Sequence, residues 1–229
     1  MYSNIEIRDF EFEGETNWYW IKGDEACFYS GIEHWKDYHS KIYFKYIKNY
    51  GTVVTAGTNC GMYARLYAKK FKRVYAFEPE PVAFNCMVNN TPYDHVVKLN
   101  CALGPGHGIV GINRVTQEGT GSDEMNIGMN NIAPPSEQFE IPMITIDSLN
   151  LNGCDLIALD VEGYEQGVLQ GSINTIRKYK PVIIAERFNG REQQQFMKEM
   201  GYDYADQSFL DSIYIAHDAP KMFNYSTAV

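Results

Sequence analysis

Four apolar runs in this chain each end on residues that could do chemistry. The first, Val53–Ala56, opens into Gly57-Thr58-Asn59-Cys60-Gly61-Met62. The second, "RVYAF", ends on Glu78 and Pro79; the third, "LIAL", ends on Asp160; the fourth, "PVIIA", ends on Glu186. Glycines directly after a strand let main chain approach a ligand with no side chain in between. A carboxylate about 20 residues further on is where a dinucleotide fold grips a ribose, because one carboxylate accepts hydrogen bonds from both hydroxyls of a diol. The stretch therefore reads as a nucleoside cradle. It is not G-x-G-x-x-G, since Asn59 stands where the second glycine would be, and the Lys-Ser/Thr of a P-loop is absent. A cofactor without a pyrophosphate asks less of a helix N-terminus, which favours S-adenosylmethionine over NAD. Turn chemistry alone would also account for the glycines.

These runs must be carried by a sheet. From Thr52 onward short apolar segments alternate with helix-length amphipathic ones. Val53, Arg73, His95, Gln138, Cys154, Pro181 and Ser212 each begin or introduce a strand-like run, with "GIVGINRV" as an extra strand. That rhythm predicts an α/β fold, a doubly wound and mostly parallel sheet with helices on both faces. In such sheets ligands sit at the carboxyl ends of the strands, near the switch in strand order. Residues 1–50 differ: they are rich in aromatics and charges, with a loose alternation in "FEFEGETNWYWI" and a helix expected from Ile32 to Lys48. The division expected is an N-terminal extension over 1–50, a possible cover for an acceptor, and a ligand-binding domain over 51–229. The polar stretch Thr116–Gln138 reads as a long loop, either a substrate-facing lid or plain surface.

The 229 residues carry a net charge of −9, which argues against a phosphate-tracking surface and so against nucleic acid as partner. Five scattered cysteines show no zinc-knuckle spacing, no apolar run reaches the ~20 residues of a membrane span, and the acidic start is unlike a signal peptide. A cytoplasmic protein with free thiols is expected; oligomeric state is not legible.

The segments "VVTAGTNCGMY", "VYAFEPEP", "NCALG", "ITIDSL", "LIALDVEGYEQGVLQG" and "PVIIAE" resemble, in order, FkbM-type S-adenosylmethionine-dependent methyltransferases. The similarity spans Thr52 to Ile215. It implies a class I methyltransferase fold and transfer of a methyl group to a hydroxyl of a saccharide or other small natural-product acceptor. By matching position it implies that Ala56, Gly57, Thr58, Asn59, Gly61 and Met62 shape the methionine pocket. Glu78, with Pro79, would hold the ribose; Asn100, Cys101 and Ala102 would border the adenine; Asp160 would stand beside the methyl. Two positions depart from the family pattern. Thr55 replaces an acid that helps anchor the methionine amino group, and Ala158 replaces a frequent lysine. A non-catalytic or weakened nucleoside-binding protein on the same fold is therefore the alternative reading.

Methyl transfer from a sulfonium is an in-line displacement in which the protein chiefly orients donor and acceptor. An alcohol acceptor also loses a proton, for which Asp160, Glu186 and Glu162 are the candidates, with His34 and His39 further off in sequence. Asp160 leads, as the end of an apolar strand; the competing role is a helix N-cap. Two such acids can also hold magnesium, but no metal is expected.

Overall fold

The computed structural model describes residues 4–113, 130–135 and 140–217. Most of the Thr116–Gln138 stretch, expected as a lid or plain surface loop, lies outside the described residues.

The N-terminal part holds an antiparallel pair, β1 (Ile5–Arg8) and β2 (Trp18–Ile21), then α1 (Glu25–His34). The helix ends earlier than the Ile32–Lys48 stripe predicted. It continues as one wide turn at Trp35–His39 and a tight turn at Tyr43–Lys45. Those aromatics pack against one another, so their spacing reflects a cluster rather than a helical face: the Trp35 ring stacks on His39 at 4.8 Å and meets Phe44 edge-on at 5.6 Å.

Next come β3 (Thr52–Ala56), α2 (Met62–Ala68), β4 (Arg73–Phe77), α3 (Pro81–Asn90) and β5 (Val96–Leu99). The run "HVVKLNCALG", expected as one strand, divides after Leu99. Its second part is β6 (Ala102–Leu103), which joins β7 (Gly108–Asn113), β8 (Asn131–Ala133) and β9 (Ile141–Ile144) in a separate small sheet. The chain then returns through β10 (Leu156–Leu159), α4 (Glu165–Gln170), α5 (Ile173–Tyr179), β11 (Val182–Glu186), α6 (Arg191–Glu199), β12 (Tyr202–Ser208) and β13 (Asp211–Ala216).

The main sheet has the order β12-β13-β11-β10-β3-β4-β5. Strands β11, β10, β3, β4 and β5 run parallel, while β13 lies antiparallel to β11 and β12 antiparallel to β13. The order reverses between β3 and β10, where Ala56 pairs in register with Leu159 on one side and Phe77 on the other. An antiparallel strand enters where its parallel neighbour leaves. Asp211, the first residue of β13, therefore pairs with Glu186, the last of β11, at the same sheet edge.

Consecutive strand residues face opposite sides. Val53 belongs to the apolar cluster built with α2, α3 and the N-terminal aromatics Trp18, Trp20, Phe28, Trp35 and Tyr43. Val54 belongs to the other, with Phe77, Ile157, Leu169, Ile183 and Phe188. The aromatic N-terminal residues thus complete the core on one face of the sheet.

Candidate active site

The crevice above the reversal point is bounded by two turns. After β3, Gly57 takes a left-handed backbone conformation (φ +72°), and a Cβ there would overlap the Asp160 carbonyl oxygen. The two turns touch, and only glycine permits it. Asn59 (φ +49°) and Gly61 (φ +85°) are left-handed too. After β10 the chain turns through Glu162 (φ +50°) and Gly163 (φ +92°). Glu165, 4% exposed, folds back so that its carboxylate accepts the Val161 and Gly163 N–H groups, each at 3.2 Å. Asp160 is not a helix cap: α4 begins after Tyr164, which leaves the Asp160 carboxylate facing the crevice.

Two cavities meet there. The smaller, about 80 Å³, has the apolar side chains of Ala56, Phe77, Cys101, Leu103 and Ile112 in its lining, together with Glu78, Glu80, Asn130 and Asn131. The larger, about 450 Å³, is bounded by Thr58 and Met62, by the acids Asp160, Glu162 and Glu186, and by residues brought from the N-terminal part, including Trp20, His34 and Tyr38. Gly57, Asn59, Asp160 and Glu162 line both cavities and mark their junction.

Glu78 is 6% exposed. One carboxylate oxygen accepts the Asn59 N–H at 2.7 Å and the other the Glu80 N–H at 2.9 Å. Burial pushes its carboxyl up to about 7 despite those two donors. Each oxygen keeps a lone pair for a further donor. The Asn59 side-chain oxygen is buried with no hydrogen-bond partner, the kind of orphan that a bound polar group satisfies. A small cavity with apolar side chains in its wall, a buried carboxylate in its lining and an unpaired acceptor at the junction fit S-adenosylmethionine: adenine against the apolar wall, ribose on Glu78, methionine end toward Asn59.

Asp160, Glu162 and Glu186 each bring a carboxylate oxygen within 4.8 Å of the others. Asp160 is open to the cavity on one side and surrounded by protein on the others; partial loss of water, then the like charge of Glu186, Asp211 and Glu162, raises its carboxyl above the usual range. Glu186 is both a like charge beside Asp160 and a side-chain partner for its protonated form, and both effects raise the Asp160 carboxyl. Glu162 is raised as well, by loss of water and by Glu186, with Arg187 opposing. The Arg187 guanidinium sits outside the group, 3.4 Å from Glu162 and 3.6 Å from Glu186. Carboxylates this close repel, and a proton or a cationic ligand between them relieves the repulsion.

Of the residues singled out in the sequence, Asn100 and Gly61 line neither cavity. The Asn100 amide donates to the Glu78 and Pro79 carbonyls and so shapes the turn carrying Glu78. Gly61 is the left-handed residue before α2, packed on Met87. Thr55 and Ala158 are both buried in the sheet. His39 is buried against Tyr67, away from the cavity lining. Sequence reasoning missed Tyr63, Phe209 and Asp211, which line the larger cavity. Tyr63 was visible within "GTNCGMY"; Asp211 reaches the site only because β13 runs antiparallel.

The fold is that of class I S-adenosylmethionine-dependent methyltransferases. The sequence matches the family model for the methyltransferase FkbM domain over residues 51–204, and the chain belongs to that family. No curated protein matches at a significant level. Among solved structures, the FkbM methyltransferase from Methylobacillus flagellatus KT is similar at a TM-score of 0.51 and 16% identity, over 77% of this chain and 47% of that one. The chain thus spans about half the length of that relative. A SAM-dependent methyltransferase from Aquifex aeolicus aligns at a TM-score of 0.42 and 13% identity, over 85% of this chain and 98% of that one. No helix among the described residues is long and apolar enough to cross a membrane.

Proposed function

We propose that this protein is an S-adenosylmethionine-dependent O-methyltransferase that modifies a hydroxyl of a saccharide or other small natural product. The observation that carries the reading is the junction: a slot suited to an adenosyl group opens, at Asp160, into a cavity large enough for a sugar-sized acceptor. When bound, the cofactor supplies a methyl group already activated on a sulfonium. Glu78 and Asn59 fix the cofactor's polar groups, and Ala56, Gly57, Cys101 and Ala102 exclude water around the rest. Asp160, with Glu186 and Glu162, sets negative charge beside the cationic centre and bounds the space in which the hydroxyl loses its proton.

In this reading residues 51–229 bind the cofactor and residues 1–50 cover the acceptor. Cavity-lining Trp20, His34 and Tyr38 support that division. The acid-lined cavity and the net charge of −9 speak against nucleic acid as acceptor. Five free cysteines accord with a cytoplasmic placement. Thr55, where the family usually carries an acid, keeps a second reading in play: a nucleoside-binding protein without turnover.

Calorimetry with S-adenosylmethionine and its demethylated product, followed by mass spectrometry across a panel of glycosides, tests both. Saturable binding and a product heavier by one methylene are expected, unchanged after dialysis against EDTA. Binding without any methylated product across the panel would favour the second reading. Heat with NAD instead would overturn both.

A further inference from the structure

The larger cavity has a second wall, opposite in character to the acidic one. There α1 and α2 bring His34 and Tyr63 to the lining, with Asp211 beside them. The His34 Nε2 lies 3.1 Å from the Asp211 carboxylate and 3.1 Å from the Tyr43 hydroxyl. Tyr43 donates its own proton to that same carboxylate oxygen. Nε2 therefore faces two acceptors and must carry the hydrogen, which leaves a lone pair on Nδ1 in the neutral ring. The Tyr63 hydroxyl lies 3.1 Å from Nδ1 and 3.3 Å from the Gly31 carbonyl. It can donate to Nδ1 while the ring is neutral. Once Nδ1 is protonated, the same oxygen can accept from it and donate to Gly31. Both protonation states are satisfied with every heavy atom in place.

Position matters as much as hydrogen bonding. Asp160 and Glu162 line both cavities, at the junction where the sulfonium would lie; Tyr63 and His34 line the larger one alone. In-line displacement puts the acceptor oxygen on the far side of the methyl from sulfur, inside the larger cavity. Glu186 is also there, but its carboxylate faces the Arg187 guanidinium at 3.6 Å and belongs to the acidic wall.

We propose that Tyr63, rather than the acidic wall, takes the acceptor hydroxyl's proton and passes its own to His34, with Asp211 holding the imidazolium. The inference rests on the O-methyltransferase reading above. As the carbon–sulfur bond breaks, its electron pair stays on sulfur, and the acceptor oxygen gives a lone pair to the methyl carbon. The O–H proton goes to the Tyr63 oxygen and the Tyr63 proton to Nδ1. The products are a methyl ether, a neutral thioether and a protonated His34, which releases its proton to solvent between turnovers. Positive charge moves from the junction to the opposite wall, and the relay hands no proton to the acidic group.

Burial and the charges of Asp160 and Asp211 keep Tyr63 protonated at neutral pH, as a relay needs. His39, whose ring lies 5.3 Å from His34, is held neutral by burial and by His34 itself, and Tyr38 and Phe209 meet the His34 ring through their edges. Among the described residues, Asp211 alone brings a carboxylate within ion-pair distance of His34.

Nitrogen-15 NMR of the histidine side chains in the full-length, cofactor-free protein at pH 8 tests the hydrogen-bond order. The Nε2–H tautomer of His34 is expected; the Nδ1–H tautomer would overturn the relay. Asp211→Asn, which can donate to Nε2, should shift the ring toward Nδ1–H. With a glycoside that the wild-type protein methylates, Tyr63→Phe should lower kcat by about 50-fold or more and leave the cofactor Kd within about twofold. His34→Gln should do the same. A higher cofactor Kd at unchanged kcat would place Tyr63 on the methionine end and sink the proposal. A wild-type protein that methylates nothing in the panel sinks the parent reading instead, and the tautomer still decides the hydrogen-bond order.

Discussion

Glu78 and Glu80 lie two residues apart in "FEPEP" and carry different burdens. Glu80, 1% exposed, accepts the Val82 and Ala83 N–H groups at 2.6 and 2.8 Å, with Pro81 in the first turn of α3. It is a helix cap. Glu80→Ala should cost about 1 kcal/mol in urea unfolding and, although Glu80 also lines the small cavity, weaken cofactor binding less than Glu78→Gln. Glu78 lies in the cofactor slot with its carboxyl pushed up to about 7. Between its ordinary value of 4.5 and about 7 the folded protein holds a proton that the unfolded chain releases. Stability of the free protein must therefore fall as pH rises through that window, by up to about 3 kcal/mol, and level off outside it. Glu78→Gln should remove that slope and weaken cofactor binding; a slope that survives the substitution would assign it elsewhere. Gly57→Ala, at a left-handed position against the Asp160 carbonyl, should cost about 3 kcal/mol or more.

At the scale of elements, the site is made by strand ends, and strand ends are what the sequence announces. The runs ending at Glu78, Asp160 and Glu186 are short, apolar and bounded by turn residues, because parallel strands buried on both faces admit little else. Parallel strands all end on the same side of the sheet, so the three acids were placeable at one edge from the sequence, though the strand order was not. What stayed hidden depended on direction and on contact. The antiparallel sense of β13 delivers Asp211 to the site, and nothing local in "FLDSIYIA" encodes it. The aromatics of residues 18–50 pack by ring geometry, which has no period, so the helix expected over Ile32–Lys48 gave way to α1 and two irregular turns. The turn after β10 is a third case. "DVEGYE" was legible as a motif, but Glu165's task, holding two N–H groups of the loop that carries Asp160, was not. Glu165→Ala leaves those donors unpaired, a loss of about 1–3 kcal/mol. Faster amide exchange at Val161 and Gly163 with α6 unaffected would confirm that the change is local; uniform acceleration would not.

Across the whole molecule, the cofactor would touch turns from both halves of the sheet, after β3 and β4 on one side of the reversal point and after β10 on the other. A ligand that binds only the folded state, across elements distant in sequence, stabilises all of them together. At a concentration about 100 times its Kd that gain is about 2.7 kcal/mol. For a chain of this size each kcal/mol raises Tm by about 2–4 °C, so S-adenosylmethionine should shift it upward by about 5–10 °C. NAD, whose pyrophosphate finds neither a G-x-G-x-x-G turn nor a basic residue among the described lining of the small cavity, should give no shift at the same concentration. The sulfonium adds a second discriminator. It places a positive charge against Asp160, Glu162 and Glu186, whose mutual repulsion it relieves, whereas the demethylated product is neutral there. The shift with S-adenosylmethionine should exceed that with the product at pH 8, where the group is most ionised, and the gap should narrow toward pH 5, where protons take over the same neutralising role. Equal shifts for the two compounds at both pH values would place the sulfonium away from those carboxylates and move the methyl-transfer point out of the junction.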